Sequence, residues 1–316
     1  MHKNELHALP MPMPRAEQSI LSQIGRFFDR TFKVWALVPM LVVLISLTIY
    51  PAFQLIRMSV SNVRFEEGQL VWEYVGLQAL ERLAEDPVVS IAIRNTLVFV
   101  VVAVALETLF GLILALLISR VRRLSGFYRA VLVIPILIPP IAISVIWRLM
   151  YDYNYGIINQ LLYAIGIPGP LWTADPNLAL ISVIIVDLWH WTSFLFLIML
   201  AGVESLPPEL TEAARVDGAS ELQVYRYVII PLLRPTIIVA VMLRTILAFK
   251  VFDQIFALTA GGPGTATQVI SLHIYNVFFV QFRLGYGAFL ALIMSALITV
   301  FVIFYRWLNR VVQRSM

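Results

Sequence analysis

The sequence predicts an all-α membrane protein with six transmembrane helices. Of its 316 residues, 60% are hydrophobic and 13% are charged, which is more apolar than the composition of soluble domains. Apolar runs of about 20 residues recur along the chain, and each is long enough to cross a bilayer as a helix. The runs are continuous and do not alternate polar with apolar residues, which favours helices over the strands of a membrane barrel.

The six predicted spans form one membrane domain, residues 35–308, between an N-terminal segment, 1–34, and a tail, 309–316. The first span is too long and too far from the start for a cleaved signal peptide, so we expect it to be an uncleaved anchor. The spans lie at about residues 35–56, 95–118, 128–150, 178–201, 236–257 and 285–307.

The distribution of basic residues predicts that both termini lie in the cytoplasm. The short segment 120–129 carries arginine but no acid, whereas 151–176, on the other side of the membrane, has neither lysine nor arginine. By the positive-inside rule, the polar loop 204–235 is also cytoplasmic. The net charge of +4 needs no nucleic-acid partner, since topology and anionic lipid account for basic loops.

The segments on either side of the first span each have an expected form. In residues 17–33 the apolar side chains share one helical face. That segment is either an amphipathic helix on the cytoplasmic membrane surface or a helical extension of the first span. Residues 57–94 form an external loop rich in acids, long enough for some structure but not for a domain.

Prolines interrupt the third span at Pro135, Pro139 and Pro140. Each removes a backbone donor and clashes with the preceding turn, so the helix is expected to kink or break there. A broken helix is tolerated in a membrane where it is packed in protein or lines a watery cavity. The break is therefore either a packing kink or part of a transport path.

Charged residues lie inside the predicted spans, where each costs roughly 2.5–3.5 kcal/mol on insertion scales and is expected to find a partner. Candidate ion pairs involve Glu107, and Lys250 with Asp253, which have i, i+3 spacing. The remaining charged residues either form ion pairs of the same kind or line a solute pathway. In such a pathway aromatic side chains stack on the rings of a sugar, and polar groups form hydrogen bonds with its hydroxyls. Its candidate residues are Asp187, Trp189, His190, Trp191, Arg244, Phe249 and Phe252.

The loop 204–235 predicts a polar helix-turn-helix between the fourth and fifth spans. Gly218 has the position of a glycine that ends a helix in the left-handed conformation. Ser220 and Gln223 have capping-box spacing and start a second helix, which runs into Pro231.

This loop resembles the signature EAA-x3-G-x9-I-x-L-P of the permease subunits of ABC importers, with Val and Ile where the signature has Ile and Leu. A second segment, 258–267, resembles the LTxGGPxxxT sequence of the larger permeases of sugar and glycerol-phosphate importers. The resemblance extends over roughly residues 35–308. The loop residues it singles out are Glu212, Ala213, Ala214, Asp217, Gly218 and Pro231.

The resemblance implies the type I importer permease architecture and solute translocation by alternating access. It also implies a second homologous permease as a heterodimer partner, two ATPase subunits, an external solute-binding protein and membrane lipid. The loop 204–235 would then couple ATP hydrolysis to transport, whereas the alternative is a hairpin that merely connects two spans. The loop 57–94 is either a contact for the binding protein or simply solvated. The implied location is the cell (inner) membrane of a bacterium or archaeon.

Other function classes lack the residues that they require. There is no cysteine for a disulfide or thiolate site, and none of the four histidines has metal-ligand spacing, so no metal is expected. No Walker sequence or nucleophile elbow occurs, so the chain is not expected to be an enzyme. No cofactor is expected on this chain, because the resemblance implies that ATP and Mg²⁺ bind to the separate ATPase subunits.

The alternative function is that of a solitary secondary transporter for a small polar solute, which leaves the match in 204–235 unexplained. The sequence does not distinguish among sugar, sugar derivative, polyol and glycerol phosphate as the solute.

Overall fold

The computed structural model of the chain describes residues 15–66, 68–121 and 123–314, which are almost entirely helical. In this part of the chain, the only strands are β1 (Ser61–Glu66) and β2 (Gln69–Tyr74). Two π-helical turns, Tyr225–Ile229 and Asn276–Val280, follow α9 and α12. The helices are α1 (Arg15–Ser59), α2 (Gln78–Glu85), α3 (Pro87–Ile118), α4 (Ser125–Leu137), α5 (Pro140–Met150), α6 (Ile157–Ala164), α7 (Ala179–Glu204), α8 (Pro208–Val216), α9 (Glu221–Val224), α10 (Ile230–Phe249), α11 (Asp253–Leu258), α12 (Ile270–Tyr275) and α13 (Leu284–Arg314).

The prediction of an all-α protein with six spans is confirmed. Among the described residues, five helical segments are long and apolar enough to cross a membrane, and a sixth span results if α4 and α5 form one bent span. The five segments are Ala36–Ser59, Pro87–Ile118, Ala179–Glu204, Glu221–Phe249 and Leu284–Val311.

The chain forms two compact units that divide between Leu55 and Ile56. The described part of the first unit is helical throughout and belongs to α1, which runs without a break from Arg15 to Ser59. The backbone of residues 17–33 therefore continues into the first predicted span as one helix. The second unit contains every other helix and the β-hairpin.

The segment 57–94 is more ordered than the predicted loop. Strands β1 and β2 pair in antiparallel register from Ser61 opposite Tyr74 to Glu66 opposite Gln69, and α2 follows them. The second span begins at Pro87, not at residue 95, because Asp86 caps α3 by accepting a hydrogen bond from Val88 N at 2.9 Å. Helix α3 thus starts about two turns of helix before residue 95.

A close crossing of α3 and α7 organises the core of the second unit. At Gly111 there is no room for a side chain, since a Cβ atom would lie 2.9 Å from Leu195 Cβ and 3.0 Å from Phe196 N. Glu107 lies one turn earlier on the same helix and on the same face. The crossing therefore holds the Glu107 carboxyl against α7 inside the bundle.

The third span is broken between α4 and α5, whose axes differ in direction by 95°. Ile138 and Pro139 each precede a proline and adopt extended backbone, with ψ of 131° and 137°. Pro140 then starts α5 at a position that tolerates a missing N–H. Pro135 lies inside α4 and does not end it, so only the other two prolines mark the break.

The fifth span differs most from the predicted range 236–257. Helix runs continuously from Glu221 through the π turn to Phe249, so Pro231 does not stop the second helix of the loop. The irregular π turn directly precedes Pro231, where the ladder of i to i−4 bonds is already interrupted. At the other end the helix stops at Phe249, and α11 begins only after a three-residue break.

The segment 258–267 packs into the bundle and does not form a simple solvated turn. The side-chain amide of Asn95, on α3, donates to the carbonyl oxygens of Thr265, Ala266 and Gln268 at 3.1, 3.2 and 3.0 Å. Thr267 and Gln268 are buried. These bonds tie the segment to α3.

Candidate functional site

Three charged side chains from three helices meet in the interior of the bundle. Arg244, on α10, donates from Nε and Nη2 to the two carboxylate oxygens of Glu107, on α3, at 2.6 and 2.9 Å. Its Nη2 also donates to Oδ2 of Asp187, on α7. All three side chains are at most 1% exposed. We refer to Glu107, Asp187 and Arg244 as the charged triad. Within it, Arg244 is the ion-pair partner of Glu107.

The triad also contacts an aromatic ring and a void. The Arg244 guanidinium carbon lies 4.6 Å from the centroid of the Trp191 ring, within the range of a cation–π interaction. A cavity of about 180 Å³ adjoins it, bounded by the start of α5, by α7 and by the break between α10 and α11. Its lining includes Asp187, Trp191, Arg244, Lys250, Phe252, Asp253 and Gln254.

Two buried acceptor atoms on the cavity lining have no hydrogen-bond partner among the described residues. They are Oδ1 of Asp187 and Oε1 of Gln254, and both residues are at most 2% exposed. The amide nitrogen of Gln254 is already used, because it lies 3.3 Å from Nδ1 of the buried His190. An unpaired buried acceptor costs about 1–3 kcal/mol, so this cavity favours an occupant that donates hydrogen bonds.

The structure brings together only part of the predicted solute pathway. Asp187, Trp191, Arg244 and Phe252 line the cavity, whereas the other three candidates do not. His190 is buried behind it against Gln254. Trp189 is 42% exposed and lies edge-on to Trp147 with ring centroids 6.0 Å apart. Phe249 packs in the core against Phe301, 4.9 Å away.

The predicted pair of Lys250 and Asp253 is wrong. No ion pair joins these two residues, whose side chains lie within the described part of the chain. The prediction assumed a continuous helix, but Lys250 caps the end of α10 and Asp253 is the first residue of α11. Both residues are exposed and line the cavity instead.

The polar loop between α7 and α10 has a well-defined turn at Gly218. This glycine has φ +86°, and its N–H donates to Arg215 O at 3.0 Å while Ala219 N donates to Ala214 O at 3.0 Å. These two bonds are the Schellman arrangement that ends a helix. The expected helix end is therefore found at the expected residue, and Asp217 is the C-cap. The capping-box bond from Ser220 N to Gln223 Oε1, at 2.7 Å, starts α9.

Side chains on one face of α8 are exposed and those on the other support the turn. Glu212 and Ala213 are exposed, whereas Ala214 is half-buried and packs, with Ala219, against a cluster that contains Val224 and Leu233. A bulky residue at Ala214 would therefore disturb the loop itself, whereas one at Ala213 would change only its surface.

Three arginines, two of them outside this loop, form ion pairs with its acids. Glu221 pairs with both Arg120 and Arg215, and Arg129, on α4, pairs with Glu204 at the end of α7. The guanidinium of Arg120 also lies 4.2 Å from the centroid of the Tyr225 ring. Sequence reasoning interpreted the 120–129 arginines only as a topology signal, since nothing in the local sequence indicates partners about 75–100 residues away.

Gln254 was missed altogether, because an uncharged amide near the end of a predicted span carries no distinctive pattern. The break at residues 250–252 turns it into the bundle, and that break is not marked by proline or glycine.

Similarity to known proteins agrees with this architecture. The family described as binding-protein-dependent transport system inner membrane component matches residues 107–314. The trehalose/maltose transport system permease protein MalF of Thermococcus litoralis is 39% identical over 215 residues, which are 68% of this chain and 72% of that protein. The sulfoquinovosyl glycerol transport system permease protein SmoG of Agrobacterium fabrum is 32% identical over 288 residues, 90% of this chain and 93% of that one.

The fold is also that of a solved importer. A chain from the crystal structure of a bacterial ABC transporter involved in the import of alginate superposes with a TM-score of 0.79. The match covers 91% of this chain and 98% of that chain at 21% sequence identity, so it shows a shared fold. The type I importer permease architecture is thereby confirmed.

The charged triad makes a direct prediction about stability. Arg244→Met removes the only guanidinium between two buried carboxylates, and breaking such a pair typically costs about 3–5 kcal/mol. We expect a marked loss of folded protein, measured by size-exclusion chromatography and thermal unfolding in detergent. The triple variant Glu107→Met, Asp187→Leu and Arg244→Met, which leaves no buried charge, should recover much of that loss.

The matched control is Arg94→Met, which removes an exposed arginine from α3 and should change stability by at most about 0.5 kcal/mol. If Arg244→Met unfolds no more readily than this control, the triad does not hold the bundle together.

Proposed function

The chain belongs to the family of inner membrane components of binding-protein-dependent transport systems, and we propose that it couples ATP hydrolysis on partner subunits to sugar import. In this proposal it is one permease of a heterodimer. An external binding protein delivers the solute, and alternating access moves it across the membrane. The observation that carries the proposal is the loop around Gly218, an exposed helix-turn-helix whose two helices have defined ends.

The surface of this loop is suited to a protein partner. Val216 is 87% exposed at the end of α8, and Leu222, on α9, is 75% exposed. Exposed apolar side chains rimmed by polar ones are typical of interaction sites. Glu212 and Ala213 add an acceptor and a small residue to the same surface, as a helix that enters a cleft requires. We assign this surface to docking on one of two ATPase subunits, which would bind the ATP and Mg²⁺ that this chain is not expected to bind.

The cavity beside the triad supports a hydroxyl-rich solute. Its unpartnered acceptors, Asp187 Oδ1 and Gln254 Oε1, would receive hydroxyl donors, and Trp191 offers a ring for stacking. The cavity lining carries two carboxylates, Asp187 and Asp253, and two cationic side chains, Arg244 and Lys250, so its charge does not select between a neutral and an anionic solute. The names of the relatives mention trehalose, maltose and sulfoquinovosyl glycerol, which are sugars or sugar derivatives, although the last of them carries an anionic sulfonate. We therefore propose a sugar or a sugar derivative as the solute.

The proposed orientation places the loop around Gly218 and both termini in the cytoplasm, with the solute entering at the opposite end. Two facts support it. The arginines that hold the loop, Arg120 and Arg129, are those that the positive-inside rule assigns to the cytoplasm. A related solved importer binds its periplasmic protein in complex with alginate pentasaccharide, which is consistent with external delivery to the cell (inner) membrane.

The coupling role is tested by a pair of glycine variants. Gly218 and Gly166 both have positive φ, +86° and +80°, and a Cβ atom at either would meet nothing within 4 Å. Valine at either position therefore introduces the same backbone strain, roughly 1–2 kcal/mol, without a clash. We expect Gly218→Val to reduce the ATPase stimulation caused by loaded binding protein by about tenfold, with normal membrane insertion, and Gly166→Val to leave it unchanged.

The readout is ATP hydrolysis by the purified complex in lipid vesicles, together with the amount of ATPase subunit that co-purifies. Equal stimulation in both glycine variants would mean that the loop does not carry the coupling. An equal loss in both would mean that the strain acts on the fold in general.

The cavity is tested by two neighbouring tryptophans. Trp191 lines it, whereas Trp189 is on the same helix, is more exposed and does not. We expect Trp191→Leu to lower solute uptake roughly fivefold or more through the loss of ring stacking, while the complex still assembles. Trp189→Leu should transport normally. Comparable uptake by the two variants would exclude this cavity from the solute path.

A further inference from the structure

A recess at the end of the bundle opposite the Gly218 loop contains a concentration of arginine that neither the charged triad nor the proposed transport role explains. It has a volume of about 210 Å³ and lies between the β-hairpin, α2 and the start of α13. Arg64, Arg82 and Arg283 line it, and no Asp or Glu does. We refer to it as the arginine recess.

The three arginines are available for an anion. Within the described residues none of them takes part in an ion pair, and each is exposed. The Asn62 side chain, oriented with its amide oxygen toward Arg64, accepts from Nη2 and Nε of that arginine at 2.9 and 3.1 Å. This contact fixes one guanidinium and leaves its Nη1 free to donate.

Asp86, an acid near the arginine recess, has partners of its own. Glu85 and Asp86 line a separate recess that shares Arg82 and Arg283. Asp86 Oδ2 lies 3.0 Å from His273 Nε2 and accepts from Tyr286 OH at 3.0 Å. Burial raises the pKa of Asp86, but the hydrogen bonds from His273, Tyr286 and Val88 N outweigh it and lower the pKa overall. The charge of Asp86 is thus satisfied locally and does not neutralise the arginine recess.

The position of the recess relative to the ends of the membrane spans indicates that it lies near lipid headgroups. Arg283 immediately precedes the span that starts at Leu284, and Ser59, another lining residue, is the last residue of the span in α1. The ends of hydrophobic spans lie at the headgroup region of a bilayer. Phe282, also on the lining, is 73% exposed, and Leu77, between β2 and α2, is 69% exposed. The arginines therefore adjoin apolar side chains that match acyl chains.

We propose that the arginine recess binds the phosphate group of an anionic phospholipid. Guanidinium groups bind phosphate oxygens in bidentate geometry, and the recess lies beside the ends of two spans, at the level of lipid headgroups. Positive-inside topology does not account for these residues, because they lie at the end of the bundle assigned to the outside.

The test measures binding of phosphatidylglycerol to the full-length, delipidated protein by native mass spectrometry in detergent. Phosphatidylcholine and inorganic phosphate are titrated in parallel. The variants are Arg82→Gln and Arg283→Gln, and the control is Arg94→Gln, an exposed arginine on α3 outside the recess. Because a basic residue near a lipid surface contributes about 1 kcal/mol, each recess variant should weaken phosphatidylglycerol binding roughly fivefold. Arg94→Gln should bind like the unmodified protein.

Four results would overturn the proposal. Equal binding in the recess variants and the control would mean that the arginines hold no lipid. Inorganic phosphate that competes as well as phosphatidylglycerol, or phosphatidylcholine that binds equally well, would indicate a different ligand. Unchanged lipid binding with a reduced response to the binding protein in the recess variants alone would assign the surface to protein docking.

Discussion

The bridge that Arg244 makes between Glu107 and Asp187 is the interaction on which the rest of the structure depends. It joins α3, α7 and α10 at a point where all three charges are buried. None of them is tolerable alone in an apolar interior, so the three helices must keep a common register. The close crossing at Gly111 sets the distance between α3 and α7, and the cavity lies beside the bridge because α10 ends soon after Arg244.

The same helix connects this interior site to the surface loop. From Glu221 to Phe249 the chain is helical without a gap, and the π turn at Tyr225–Ile229 is its only irregular part. In the proposed importer, a displacement of α8 by an ATPase would reach Arg244 through this helix. The π turn lies where such a displacement would enter the span, and π turns often occur at functional sites. Arg120 and Arg129 connect the loop to neighbouring segments through ion pairs with Glu221 and Glu204.

The sequence predicted much of the fold because bilayer thickness imposes a length on each apolar run. The spans were all found, but their ends were not. Asp86 and Pro87 start α3 early through capping, and the chain turns after Phe249 without a proline or glycine to mark the break. The false pairing of Lys250 with Asp253 follows from that missed break.

Spacing along one helix could not reveal the bond between Glu107 and Arg244, which lie 137 residues apart. The turn at Gly218 was found because its geometry is local.

Uptake into reconstituted vesicles tests most directly whether this chain is an importer subunit or a solitary secondary transporter. The complex, purified through this chain, would be given a panel of labelled disaccharides and polyols with the binding protein outside. We expect uptake that requires enclosed ATP and persists when ionophores collapse every ion gradient. Uptake by this chain alone, driven by an ion gradient and indifferent to ATP, would contradict this assignment.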